Sequence, residues 1–115
     1  MKTQNIFINA INQSIQYFIG DNANDNWSII DDASPDDIWF HISDRPSCHV
    51  IANIQIKLTK KETKYVIKQG ALLCKQNSKY KSERNLPIVY TKVKNVKKTN
   101  IVGSVEISNN LTIHI

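Results

Sequence analysis

The chain has no apolar run approaching the length of a membrane span. Its first residues lack the basic segment and apolar core of a secretory signal, so a cytoplasmic location is the default expectation. Three glycines, Gly20, Gly70 and Gly103, stand too far apart for a Gly-rich phosphate loop, and no paired glutamates recur at helical spacing. There are two cysteines, Cys48 and Cys74, in no zinc-ligating spacing. Both read as reduced, buried, structural thiols, because nothing points to an oxidising compartment. Glutamate is missing from residues 1–50. That half sets Lys2 and Arg45 against seven aspartates, a net −5. Residues 51–115 set twelve lysines and Arg84 against Glu62, Glu83 and Glu106, a net +10.

A basic half of that size favours a polyanionic partner, either nucleic acid or an acidic membrane surface. Heavy use of Ile, Lys and Asn is also what AT-rich genomes produce, those of large DNA viruses among them, and such bias supplies lysine without a functional cause. With 115 residues, 41 % of them apolar and 22 % charged, the chain fits one domain over residues 1–115 with a single core.

The most informative stretch runs from Ser34 to Asn53 and predicts a β-hairpin. Ile38–Ile42 is aromatic and β-branched, Ser43–Ser47 is turn chemistry, and a second strand starts at Cys48. With the turn centred on Arg45, His41 faces His49, Trp39 faces Ile51, Phe40 faces Val50 and Ile42 faces Cys48. That register gathers the small apolar side chains on one face and leaves Trp39, His41 and His49 on the other.

Elsewhere, Asn5–Ala10 and Ser14–Gly20 read as an N-terminal hairpin. Asp21 or Asn22 caps a short helix near 22–30 with Trp27 and Ile30 turned inward. The aspartates at 31, 32, 36 and 37 lack the spacing of a calcium loop and read as caps and solvated turns. Thr59 or Thr63 starts the principal helix, about 60–77, whose apolar positions Val66, Ile67, Gly70, Ala71, Leu73 and Cys74 recur at three and four. Lys64, Lys68, Lys75 and Lys79 lie on its outer face. Leu86–Lys94 is a strand, Asn95–Asn100 a basic loop, Gly103–Ser108 a strand, Asn109-Asn110 a tight turn and Leu111–Ile115 the last strand. The expectation is an α+β fold: a mostly antiparallel sheet with one principal helix and a possible second, short one.

Two groups of cations stand out. Lys75, Lys79, Lys81 and Arg84 follow the helix end, and Lys92, Lys94, Lys97 and Lys98 occupy one strand and the next loop; Arg45 adds a charge at the hairpin turn. Such residues contact phosphates with little sequence preference. Trp39, His41, His49 and Tyr90 are candidates for stacking on, or hydrogen bonding to, unpaired bases. A metal-dependent enzyme built on His41 and His49 is the weaker alternative, since Cys48 alternates to the far face and no third ligand can be named. No cofactor is expected.

Four blocks in order resemble the NFACT-R domain, the RNA-binding domain of the NFACT proteins of ribosome-associated quality control. They are Tyr17-Phe18-Ile19-Gly20 with the stretch to Asn26; Asp37-Ile38-Trp39-Phe40-His41 with Ser47-Cys48-His49-Val50; Ala71-Leu72-Leu73 with Asn77-Ser78; and Val89-Tyr90-Thr91 with Lys94-Asn95-Val96-Lys97-Lys98, then Gly103 and Val105. The second block is the most specific. Departures are Cys48, where members often carry a small Gly or Ser, and Thr99, where many carry Pro. The sequence is similar to the small stand-alone eukaryotic relatives, without their charged coiled-coil tail. The resemblance implies non-catalytic binding of RNA, with tRNA or the ribosome as target. DNA remains open because its phosphates are the same, and an adaptor to another protein of translation is the alternative.

Overall fold

The computed structural model describes residues 1–115. Strand β1 (Lys2–Ile8), a 3-10 turn at Asn9–Ile11 and β2 (Gln13–Gly20) form the N-terminal hairpin, and α1 (Ala23–Asp31) follows. Then come β3 (Ile38–Ile42), β4 (His49–Asn53), α2 (Lys60–Gln76) and β5 (Pro87–Lys92). A second 3-10 turn, Val93–Asn95, leads to β6 (Val96–Lys98), β7 (Val105–Ile107) and β8 (Leu111–His114). Six strands make one antiparallel sheet in the order β1-β2-β4-β3-β5-β8, and β6 and β7 pair as a separate ribbon. The fold is therefore α+β, as expected.

The hairpin register is the expected one, with Trp39 opposite Ile51 and Phe40 opposite Val50. Two local expectations change. The stretch expected as a basic loop contains β6, which pairs with β7 and buries Val96, its one apolar side chain, under the sheet. The Asn109-Asn110 turn does not fold β8 back onto β7: β7 pairs with β6, and β8 pairs with β5 at the sheet edge. The Thr91 hydroxyl donates to the carbonyls of Ser108 (3.0 Å) and Asn109 (3.3 Å), which draws this connection toward β5.

Alternation along the strands gives the sheet two covered faces. Phe40, Ile42, Val50, Ile88 and Tyr17 point to α2, which lays Val66, Ala71, Leu73 and Cys74 on them. Thr59 and Glu62 form a capping box at the start of α2, and the buried Tyr17 hydroxyl donates to the Val66 carbonyl at 3.0 Å. On the opposite face Trp39, Ile51 and Val89 meet Ile29 and Ile30 of α1 and Val96 of the ribbon. Asp37 departs from the reading of solvated turns: it is 1 % exposed. Its carboxylate accepts from the backbone N–H of Ile54 (2.8 Å) and Ser34 (2.9 Å) and from Asn53 Nδ2 (3.1 Å). The loop before β3 is thereby tied to the end of β4, which fixes where the Trp39–His41 segment starts.

Candidate functional site

His41 and His49 face each other across β3 and β4, as the alternation required. Trp39 Nε1 donates to His49 Nδ1 at 3.1 Å. The neutral His49 ring therefore carries its hydrogen on Nε2. His41 stacks on Trp39, with centroids 5.7 Å apart and planes 2° apart, and meets His49 edge-on at 5.0 Å. Trp39 is 2 % and His49 3 % exposed, so neither offers an open ring face; His41 is half-buried. Burial, with the neighbouring His41 second, holds His49 down to about 3, and burial lowers His41 as well. Both rings are uncharged at neutral pH.

The three rings form the floor of a cleft of about 380 Å³ between the sheet and the β6–β7 ribbon. Its walls include Ser43, Asp44, Ser104 and Asn110. Every buried side-chain nitrogen or oxygen has a hydrogen-bond partner. Nε2 of His49 has none within the protein, so it reaches the solvent of the cleft. The ribbon can close over the rings because Gly103 turns there with φ 86°, where a Cβ would lie 2.7 Å from that of Ala23. Trp27 Nε1 holds the same turn by donating to the Ser104 carbonyl at 3.1 Å. Sequence reading missed this wall, since Ser43, Ser104 and Asn110 look like ordinary turn residues; Gly103 was the available signal. The motif glycine Gly20 also acts at a distance: a Cβ there would lie 2.2 Å from Asn26 Oδ1, which accepts from the His49 backbone N–H at 3.2 Å.

The cations fall into three further groups. Tyr90, Lys92 and Lys94 line a recess on the α2 face, and the Tyr90 ring packs 6.2 Å from that of Phe40. Lys92 and Lys94 share Asp36, at 3.4 and 3.9 Å. Lys97 and Lys98 lie on the ribbon; Lys98 pairs with Asp31 at 2.5 Å and lies over the Trp27 ring at 5.2 Å. Lys75, Lys79, Lys81 and Arg84 are at the opposite end of the sheet, where Lys75 Nζ donates to the Ile115 oxygen at 3.0 Å. Arg45 belongs with this last group, since it pairs with Glu83 and covers Tyr80 at 4.8 Å. Lys92 is opposite Ile38, whereas Ile88 is opposite Ile42, so about 13 Å of strand separates the two ends. No three His, Cys, Asp or Glu side chains gather as a metal site.

Residues 5–109 match the family described as the NFACT protein RNA binding domain. The chain belongs to that family. The NFACT-R domain seen here is 34 % identical over 68 residues to the Rqc2 homolog RqcH of Bacillus subtilis (strain 168), covering 59 % of this chain and 11 % of RqcH. Its fold is similar to that of the C-terminal part of the fibronectin/fibrinogen-binding protein from Streptococcus suis, with a TM-score of 0.79 at 19 % identity. That similarity covers 95 % of this chain and 44 % of the other. The chain thus spans less than half the length of either protein. No helix is long and apolar enough to cross a membrane.

Proposed function

We propose that residues 1–115 act as one non-catalytic RNA-binding module whose target is tRNA or ribosomal RNA. The observation that carries this reading is membership of an RNA-binding family over nearly the whole chain. The similarity to RqcH, named as an Rqc2 homologue, supports a setting in ribosome-associated quality control. In this reading an unpaired base enters the cleft, where the His41 and His49 rings and the Ser43, Ser104 and Asn110 side chains supply neutral hydrogen-bonding groups. Trp39 supports that floor from beneath and does not stack on the base. Phosphates are held by cations outside any ion pair, Lys79, Lys81 and Arg84, with smaller shares from Lys97, which stands opposite Glu106, and from Lys92, Lys94 and Lys98, which aspartates already engage.

Fluorescence anisotropy with tRNA, single-stranded RNA and duplex DNA, each at three salt concentrations, tests the reading. The expected result is preference for RNA and a log–log salt slope of several units. Absence of binding to all three at low salt removes the reading, and equal binding of the duplex DNA removes its preference for RNA.

A further inference from the structure

We infer that the outer face of α2 is a second nucleic-acid contact, a track for the phosphodiester backbone made by Lys60, Lys61, Lys64 and Lys68 around Tyr65. The inference rests on the RNA reading above and adds a surface which that reading does not contain. These five residues line one shallow depression. Lys60, Lys64 and Lys68 recur every four residues, so their stems leave the helix about 6 Å apart along its axis. Lys61 and Tyr65 form the adjacent row, and Tyr65 is 42 % exposed, large for an aromatic ring with no partner.

The electrostatics separate this group from the other lysines. None of the four enters an ion pair, whereas Lys92, Lys94 and Lys98 all do. The one acid of α2, Glu62, is turned back to accept from the Thr59 backbone N–H at 2.9 Å. Like charges four apart on a helix destabilise it, and Lys60–Lys64 and Lys64–Lys68 are two such pairs. Lys60 and Lys61 also stand in the first turn, where the helix dipole is positive, which is unfavourable for cations and favourable for an anion. Folding gains nothing from this arrangement; a polyanion laid along it relieves the repulsion. Compositional bias raises the number of lysines but does not place four of them around one ring.

RNA fits better than an acidic membrane surface. A helix that lies in a membrane buries an apolar face in the lipid, and the apolar face of α2 (Val66, Gly70, Ala71, Leu73 and Cys74) is already spent on the sheet. Tyr65 supplies a ring on which a base can stack between phosphates, and lipid headgroups make no use of it.

The test compares the wild-type chain with the variant Lys60→Gln/Lys61→Gln/Lys64→Gln/Lys68→Gln. Glutamine keeps the helix propensity, and circular dichroism checks the fold. With a single-stranded RNA, the variant is expected to lose at least about tenfold in affinity and about 3 units of salt slope, at roughly 0.7 per phosphate contact. Wild-type protein that binds no RNA defeats the RNA reading itself. Wild-type binding with unchanged affinity and slope in the variant defeats the α2 track and leaves that reading standing. Preferential binding to phosphatidylserine vesicles, abolished in the variant, would replace RNA by a membrane. Should the variant not fold, lysine acetylation of the native chain decides: RNA is expected to slow modification of Lys60, Lys61, Lys64 and Lys68, and unaltered rates overturn the track.

Discussion

His49 is the side chain whose surroundings bear most directly on solution behaviour. Trp39 occupies its Nδ1, His41 meets it edge-on, and only Nε2 opens to the cleft, so protonation would add a charge where there is little water to solvate it. Burial first and His41 second bring its pKa to about 3. A histidine in the unfolded chain titrates near ~6.5. Between those values the unfolded state binds protons that the folded state refuses. Stability from this residue is therefore complete above about pH 6.5 and declines as the pH falls toward about 3. The decline is on the order of 1 kcal/mol per pH unit, and His41, lowered in the same direction, adds to it. Thermal melts should accordingly shift down by several degrees on moving from about pH 7 to about pH 5.5. In His49→Gln, which cannot titrate, that part of the dependence should be much flatter. A variant that keeps the full slope would assign the acid sensitivity to His41 instead, which burial also lowers.

At Gly70 α2 comes close against the sheet. A Cβ there would lie 2.3 Å from Phe40 Cζ and 2.4 Å from Cε1, on a ring that is fully buried. Alanine gains about 0.5–1 kcal/mol of helix stability over glycine. Overpacking a full core costs roughly 1–3 kcal/mol, and Phe40 has no space to retreat into. Gly70→Ala should therefore be destabilised by about 1–2 kcal/mol net, read as a lower urea midpoint at unchanged m-value. A stabilised variant would mean that the helix stands further off the sheet. This contact was partly legible: the small pair Gly70-Ala71 signalled a close approach, though not the ring it approaches. The same holds for other elements. The β3–β4 register could be read because one slip would move every apolar side chain to the wrong face. The pairing of Trp39 with His49 could not, since alternation puts two rings on one face without saying which atoms meet. β6 escaped because three residues with two lysines carry almost no pattern; its strand character comes from its pairing with β7. β8 was read as a strand, but its partner was not, because Asn109-Asn110 marks a turn and not the strand the chain returns to, which is set by side-chain contacts from Thr91. The cleft escaped for the same reason: its far wall arrives from a part of the chain distant in sequence.

Taken whole, the two oppositely charged halves of the chain partly neutralise each other. Asp36 takes up Lys92 and Lys94, and Asp31 takes up Lys98, so the acidic half cancels charge on β5 and the ribbon. The lysines of α2 escape that cancellation, as do Lys79, Lys81 and Arg84 after its C-terminus. The loop carrying these last three lies beside the β3–β4 turn, because Arg45 reaches from that turn to Glu83 and Tyr80. His41 and His49 flank the same turn on the other face of the sheet. Free cations thus lie in two places, beside the β3–β4 turn past the end of the sheet and on the outer face of α2, on a molecule whose extents are 39, 31 and 26 Å. An RNA of about four nucleotides can meet the cleft or the helix, but a strand of about twenty can meet both. Joining two contacts in one ligand makes the second intramolecular, with gains of about 10²–10⁴ in affinity where the geometry permits both. The expectation is a steep rise in affinity with RNA length, measured by anisotropy across a length series. Replacing His41 by Ala should remove most of that rise while leaving short-strand binding at α2. Affinity growing only in proportion to the number of nucleotides would mean that one site binds at a time, and the path over the sheet end would then carry no strand.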